Sequence, residues 1–131
     1  YLDKYLPNDV DLIYLDSLHE ANHIEKIFYH YYPLLKVGGM FIFDDISWIP
    51  YLKNKKRNSF HCEINNQEIF NKILEIKSEN EDIFDLYFSF KGSGSAKIIK
   101  KEETNLKKSI KLKSRKLTLK NLIRKFFRMF S

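Results

Sequence analysis

Four side chains with complementary chemistry lie just beyond two short apolar runs. Asp16 and His19 follow VDLIYL (Val10–Leu15), and Asp44 and Asp45 follow MFIF (Met40–Phe43). Three carboxylates supply hard oxygen donors of the kind Mg²⁺ takes, and Mg²⁺ usually keeps waters or substrate oxygens in its remaining positions. An imidazole with an ordinary pKa of about 6.5 is mostly neutral at pH 7, so His19 can accept a proton from a metal-bound hydroxyl. The product would be an alkoxide. The same residues also have plainer roles: an Asp directly after a strand often caps the next helix, and two successive Asp can form a solvated turn.

For these groups to meet, the two runs must be neighbouring parallel strands, because ligands in open parallel sheets bind beyond the carboxyl ends of the strands. Adjacent strands are about 4.8 Å apart, which lets all four groups converge. Both runs are nearly continuous in apolar residues, as parallel strands covered on both faces are. Between Leu15 and Met40 lie 24 residues, more than the dozen or so that a parallel crossover needs. Ile24, Ile27, Phe28, Tyr31 and Leu35 recur at helical spacing, so a helix is predicted from about Glu20 to Tyr32, disturbed by Pro33 before Gly38-Gly39. The unit is βαβ.

Beyond a polar loop, Asn66 is predicted to cap a helix with Ile69, Phe70, Ile73, Leu74 and Ile76 on its apolar side, fading near Ser78. Phe84–Phe90 and Ala96–Lys100 then form β-rich runs joined by KGSGS, a link suited to an antiparallel hairpin. The fold class is therefore α/β, a Rossmann-like parallel sheet ending in an antiparallel hairpin. Residues 1–101 form this part, and residues 102–131 a loosely ordered basic linker and an amphipathic tail helix.

Composition supports that division. The 131 residues are 44% hydrophobic and 15% aromatic, enough for one domain with a core and too much for general disorder. The net charge of +6 hides a contrast, since the chain is net −4 before Lys100 and net +10 from Lys100 onward. Cys62 is the only cysteine, which excludes a disulfide framework or a multi-thiolate zinc site and suits a reducing, cytoplasmic setting. No run reaches the roughly 18 apolar residues of a membrane span. His23 and His30 on the crossover helix, and His61 and Cys62 in the loop after the second strand, form no ligand set. Trp48 follows the two acids and is a candidate substrate-binding wall, or packs beneath the loop.

DLIYLDSLH, a helix, and then YYPLLKVGGMFIFDDISW resemble the second half of a class I S-adenosylmethionine-dependent methyltransferase. Within that superfamily they are similar to small-molecule and sugar O-methyltransferases of the macrocin type. The resemblance spans roughly Val10 to Lys101 and implies S-adenosylmethionine and Mg²⁺ as cofactors, with Asp16, Asp44 and Asp45 as metal ligands and His19 as the base. Ser17 stands where a Gly is common, and Ala21 and Asn22 stand where an aromatic is usual. The glycine-rich loop that cradles the cofactor is missing. The four glycines are Gly38, Gly39, Gly92 and Gly94, and none forms GxGxG between a strand and a helix. The expectation is a carboxy-terminal half, poorly soluble and inactive alone because the edge of its first strand is bare. Three alternatives stay open. One is a metal-independent methyltransferase in which Asp16 and Asp44 position substrate, another an NAD-dependent oxidoreductase, and the third a non-catalytic membrane- or partner-binding module.

Residues 116–130 read as a tail helix. At about 100° per residue, Leu119, Leu122, Ile123, Phe126, Phe127 and Phe130 share one side, while Lys120, Arg124, Lys125 and Arg128 occupy the other. Such a helix docks on its own body or a partner, lies on an anionic membrane, or binds nucleic acid. Nucleic acid ranks last, because single-strand binders interleave rings with charges instead of segregating them.

Overall fold

The structure, a computed structural model, describes residues 5–48, 60–113 and 118–129, with no account of the side chains of residues 60–62. Two strands, β1 (Val10–Leu15) and β2 (Leu35–Asp44), pair in parallel. Helix α1 (Ala21–Tyr31) crosses between them, and a 3-10 turn at Tyr32–Leu34 accommodates Pro33 at its start. Helix α2 (Phe60–Glu79) follows, then the antiparallel pair β3 (Phe84–Ser89) and β4 (Ser95–Lys100), and finally α3 (Leu119–Arg128). The sheet order is β1-β2-β4-β3. A four-stranded α/β sheet with one parallel pair and a terminal antiparallel hairpin is a partial Rossmann-like arrangement.

The second strand starts five residues earlier than its apolar run suggests. Val10 pairs with Leu35, and the register then jumps so that Leu12 pairs with Met40. The extra residues Lys36–Gly39 are taken up in this irregularity, and a Cβ on Gly39 would lie 2.9 Å from the Val10 carbonyl oxygen. Only glycine lets the two backbones approach so closely.

Alternation of side chains divides the sheet into two unlike faces. Phe41 and Phe43 of β2, Ala96 and Ile98 of β4 and Phe84 of β3 point into a core with Ile24 and Phe28 of α1 and Ile69, Ile73 and Ile76 of α2. Phe28 is fully buried, and its ring lies 5.0–6.0 Å from those of Tyr29, Tyr32, Phe41, Phe43 and Phe84. On the other face, Leu12, Tyr14 and Tyr87 stay about half exposed. Strand β1 is also an edge strand, so its outer backbone groups have no strand partner among the described residues.

Three expectations need correction. Asn66 does not cap α2, which already runs from Phe60; it is buried within the helix, where its side-chain amide donates to the Ser47 carbonyl at 2.9 Å. His61 and Cys62 accordingly belong to the helix rather than to a loop. The residues following Lys100 are not loose either. The Lys107 carbonyl accepts from the Tyr29 hydroxyl at 2.6 Å and from the Asn80 amide at 2.9 Å, and the Lys107 N–H donates back to Asn80 Oδ1 at 2.8 Å. Ser109 hydrogen-bonds Glu25, and the Leu112 N–H reaches Glu75 Oε1 at 3.2 Å. Up to Lys113 the chain is a strap laid along α1 and α2. Buried Lys100 anchors its start, donating to the Leu35 carbonyl at 2.5 Å and pairing with Glu103 at 2.7 Å. Of the remaining expectations, residues 49–59 and Phe130 lie outside the described residues.

Phe28→Ala should cost about 3–5 kcal/mol, because it empties the centre of the ring cluster and the neighbouring rings cannot all collapse inward. Urea unfolding of the chain measures it, and a loss under about 1 kcal/mol would show a core that does not depend on this residue.

Candidate active site

Parallel pairing of β1 with β2, Leu15 opposite Phe43, brings the ends of both strands to one level. Asp16 leaves β1 there, and Asp44 is the last residue of β2. The β3–β4 hairpin reaches the same place, since Ser95 pairs with Asp44. Its turn is fastened to the segment after β2: the Ser47 N–H donates to the Ser93 carbonyl at 2.8 Å and the Ile46 N–H to the Gly94 carbonyl at 3.3 Å. Gly94 has φ +81° and lies against Ser47, where an added Cβ would come within 2.6 Å of the Ser47 Cβ.

Asp44 is the most firmly held group. Its Oδ2 accepts from the Tyr14 hydroxyl at 2.5 Å, and its Oδ1 accepts from the Asp45 N–H at 2.9 Å and the Ser93 hydroxyl at 3.3 Å. Partial burial works against its ionisation. Hydrogen bonds from Tyr14, Asp45 and Ser93, with His19 nearby, outweigh burial and hold the carboxyl below the usual range. The same bond makes the Tyr14 phenol harder to ionise, pushing it up to about 12, with the charges of Asp44, Asp16 and Asp45 adding to the effect. Asp45 adopts φ 55°, a left-handed conformation that Asp tolerates better than most residues. Its carboxylate thereby faces His19.

His19 lies between two of the acids, with Nδ1 3.5 Å from Asp45 Oδ2 and Nε2 3.7 Å from Asp16 Oδ1. Its side chain is 32% exposed, so solvent reaches the ring while each of its nitrogens faces a carboxylate. The four predicted residues therefore do come together. Trp48 lies nearby but turns toward α2, its ring centroid 6.1 Å from that of Phe70, with its indole N–H buried and unbonded.

The donor chemistry of Asp16, Asp44 and Asp45 suits a hard divalent cation. His19 stands between Asp16 and Asp45, and Asp44 is bonded to Tyr14. No group of three or more His, Cys, Asp or Glu side chains poised to hold a metal occurs among the described residues. For S-adenosylmethionine the residues present do not fit: Gly92 and Gly94 serve the hairpin, Gly38 and Gly39 the entry to β2, and no glycine-rich βα loop remains to cradle it.

Sequence reasoning missed Tyr14, Ser93 and the Gly94–Ser47 contact. A signal for Tyr14 existed, since residues two apart in a strand share a face and Tyr14 precedes Asp16 by two. Its reach to Asp44 became visible only with the register that sets Tyr14 opposite Ile42, two residues before Asp44. Ser93 and Gly94 gave no such signal, because their contacts cross between loops.

Tyr14→Phe removes the strongest donor to Asp44, so the carboxyl pKa should rise toward the ordinary value, as a carbon-detected NMR titration would report. A depressed carboxyl stabilises the fold fully above its unfolded pKa and loses that contribution as pH falls through the folded value. The variant should therefore be less stable than the parent at neutral pH, and the difference should shrink as pH falls through the acid range, because less of its stability depends on Asp44 being ionised. Gly94→Ala should cost about 1–3 kcal/mol from the positive φ and the collision with Ser47, and should shift the Asp44 carboxyl resonance as well. An unmoved resonance would show that the hairpin does not hold the acid in place.

No family model and no curated relative matches the sequence. Among solved structures, the chain is similar to a Staphylococcus aureus protein provisionally assigned as a caffeoyl-CoA O-methyltransferase, with TM-score 0.50 and 22% identity. The match covers 71% of this chain and 44% of that one, so the chain spans less than half the length of the structure it resembles. At that identity the likeness is one of fold, and it agrees with the partial Rossmann-like arrangement of the sheet.

Proposed function

We propose that this chain is the acceptor-binding half of an S-adenosylmethionine-dependent O-methyltransferase that acts on a hydroxyl of a sugar or similar small molecule. The observation that carries the reading is the meeting of His19 with Asp16 and Asp45 at the carboxyl ends of two adjacent parallel strands. The sheet is open on one face and along the β1 edge, and the glycine cradle would lie in further chain that completes both. A single cysteine suits a cytoplasmic enzyme.

His19 takes the proton of the acceptor hydroxyl through a ring nitrogen. The carboxylates of Asp16 and Asp45 orient the ring and stabilise the imidazolium that results. Asp44, ionised well into the acid range, receives a substrate hydroxyl beside Tyr14 and Ser93. S-Adenosylmethionine, when bound by the complete enzyme, supplies a methyl group already activated for displacement. Alignment of the acceptor oxygen is then the main task left to these residues. In the metal-assisted form, Asp16, Asp44 and Asp45 would hold Mg²⁺, whose chemistry is to acidify the hydroxyl. A metal-independent form is favoured by one observation, the position of the His19 ring between two of the three prospective ligands.

In the complete protein, with labelled S-adenosylmethionine and a panel of hydroxylated sugars, His19→Ala should lower methyl transfer by about 10²–10⁴-fold. Unchanged transfer would show that His19 is not the base and that this cluster plays no catalytic part. Loss of activity with EDTA and its return with Mg²⁺ identify the metal-assisted form, while activity indifferent to EDTA identifies the other.

A further inference from the structure

We propose that α3 is an interfacial helix that attaches the protein to an anionic lipid surface. This goes beyond the methyltransferase reading and does not depend on it. Helix α3 carries no buried residue: Leu119, Phe126, Phe127 and Met129 are 75%, 60%, 66% and 76% exposed, and Leu122 and Ile123 about half. Six large apolar side chains on a ten-residue helix and its cap are each about half or more exposed, a contiguous apolar surface of the kind that marks an interaction site.

The geometry identifies the cover. At about 100° per residue, Met129, Leu122, Phe126, Leu119, Ile123 and Phe127 fill a continuous arc of roughly 160°, and the four cations and Asn121 fill the rest with no intrusion. Lys120 flanks Phe127 at one margin of the arc and Lys125 flanks Met129 at the other, so their stems can lie along the apolar boundary with the ammonium groups outward. This is the profile of a helix lying in the plane of a bilayer interface. No helix among the described residues is long and apolar enough to cross a membrane.

Charge specifies the kind of lipid. From Thr104 to Ser131 there are ten Lys and Arg and no acid. Lys107, Lys108, Lys111 and Lys113 stand exposed on the strap that leads toward α3. An apolar groove on a protein partner would account for the arc but not for this uncompensated run of cations. A nucleic acid would account for the cations but not for rings gathered on the side away from them. An anionic headgroup layer over an acyl core accounts for both.

The test uses the full chain and sedimenting vesicles of phosphatidylcholine, with or without about 30% phosphatidylserine. Partitioning should be at least about tenfold stronger with phosphatidylserine and should fall severalfold between 0.1 and 0.5 M NaCl. Phe126→Asp with Phe127→Asp should abolish binding, and Arg124→Gln with Lys125→Gln and Arg128→Gln should weaken the preference for phosphatidylserine severalfold. Because no residue of α3 is buried, both variants should keep the thermal midpoint of the parent. Equal binding to both vesicles, or none, overturns the proposal. So does a lowered midpoint in the Phe variant, which would place α3 on the protein's own body, and so does binding of a single-stranded oligonucleotide without vesicle binding.

Discussion

Parallel pairing of β1 with β2 is the constraint from which the rest follows. Two parallel strands cannot be joined by a tight turn, so the chain must cross over, and α1 is that crossover. The crossover sets Phe28 above Phe41 and Phe43 and so locates the core. It also brings the ends of both strands to one edge, where Leu15 opposite Phe43 leaves Asp16 and Asp44 at the same level. Had the strands paired antiparallel, these acids would stand at opposite ends of the sheet. The hairpin then closes over the edge from the other side, because β4 returns antiparallel to β2 with Ser95 opposite Asp44.

The electrostatics of that edge are asymmetric. Asp44 is surrounded by donors and fixed as an anion. Asp16 and Asp45 are directed mainly at one imidazole. One acid is thus held rigidly by its donors, while the other two face a single imidazole. This separation rests on backbone detail, the left-handed turn at Asp45 and the contact of Gly94 with Ser47, and not on residue type alone.

What the sequence disclosed follows the range of the interactions involved. Strands and helices came through where periodicity speaks locally, as in Val10–Leu15, α1 and the tail. The convergence of Asp16, His19, Asp44 and Asp45 was legible because strand ends in a βαβ unit meet by rule. Asn66 misled, since a residue with capping chemistry was used instead to bond the Ser47 carbonyl from inside a helix. The strap was illegible for a related reason. Its polar, lysine-rich sequence has no periodicity, and its order comes from backbone bonds to Tyr29, Asn80 and Glu75, which no local pattern announces.

The strap also governs geometry at a distance. Its last described anchor is the Leu112 N–H on Glu75, and α3 begins at Leu119. At no more than about 3.6 Å per residue, the intervening segment confines the start of α3 to a radius of about 25 Å around that anchor. Any surface that captures α3 is therefore leashed to the α2 side of the domain within about one domain diameter. The local concentration of the two for each other is then set by that short leash and not by how much protein is in solution.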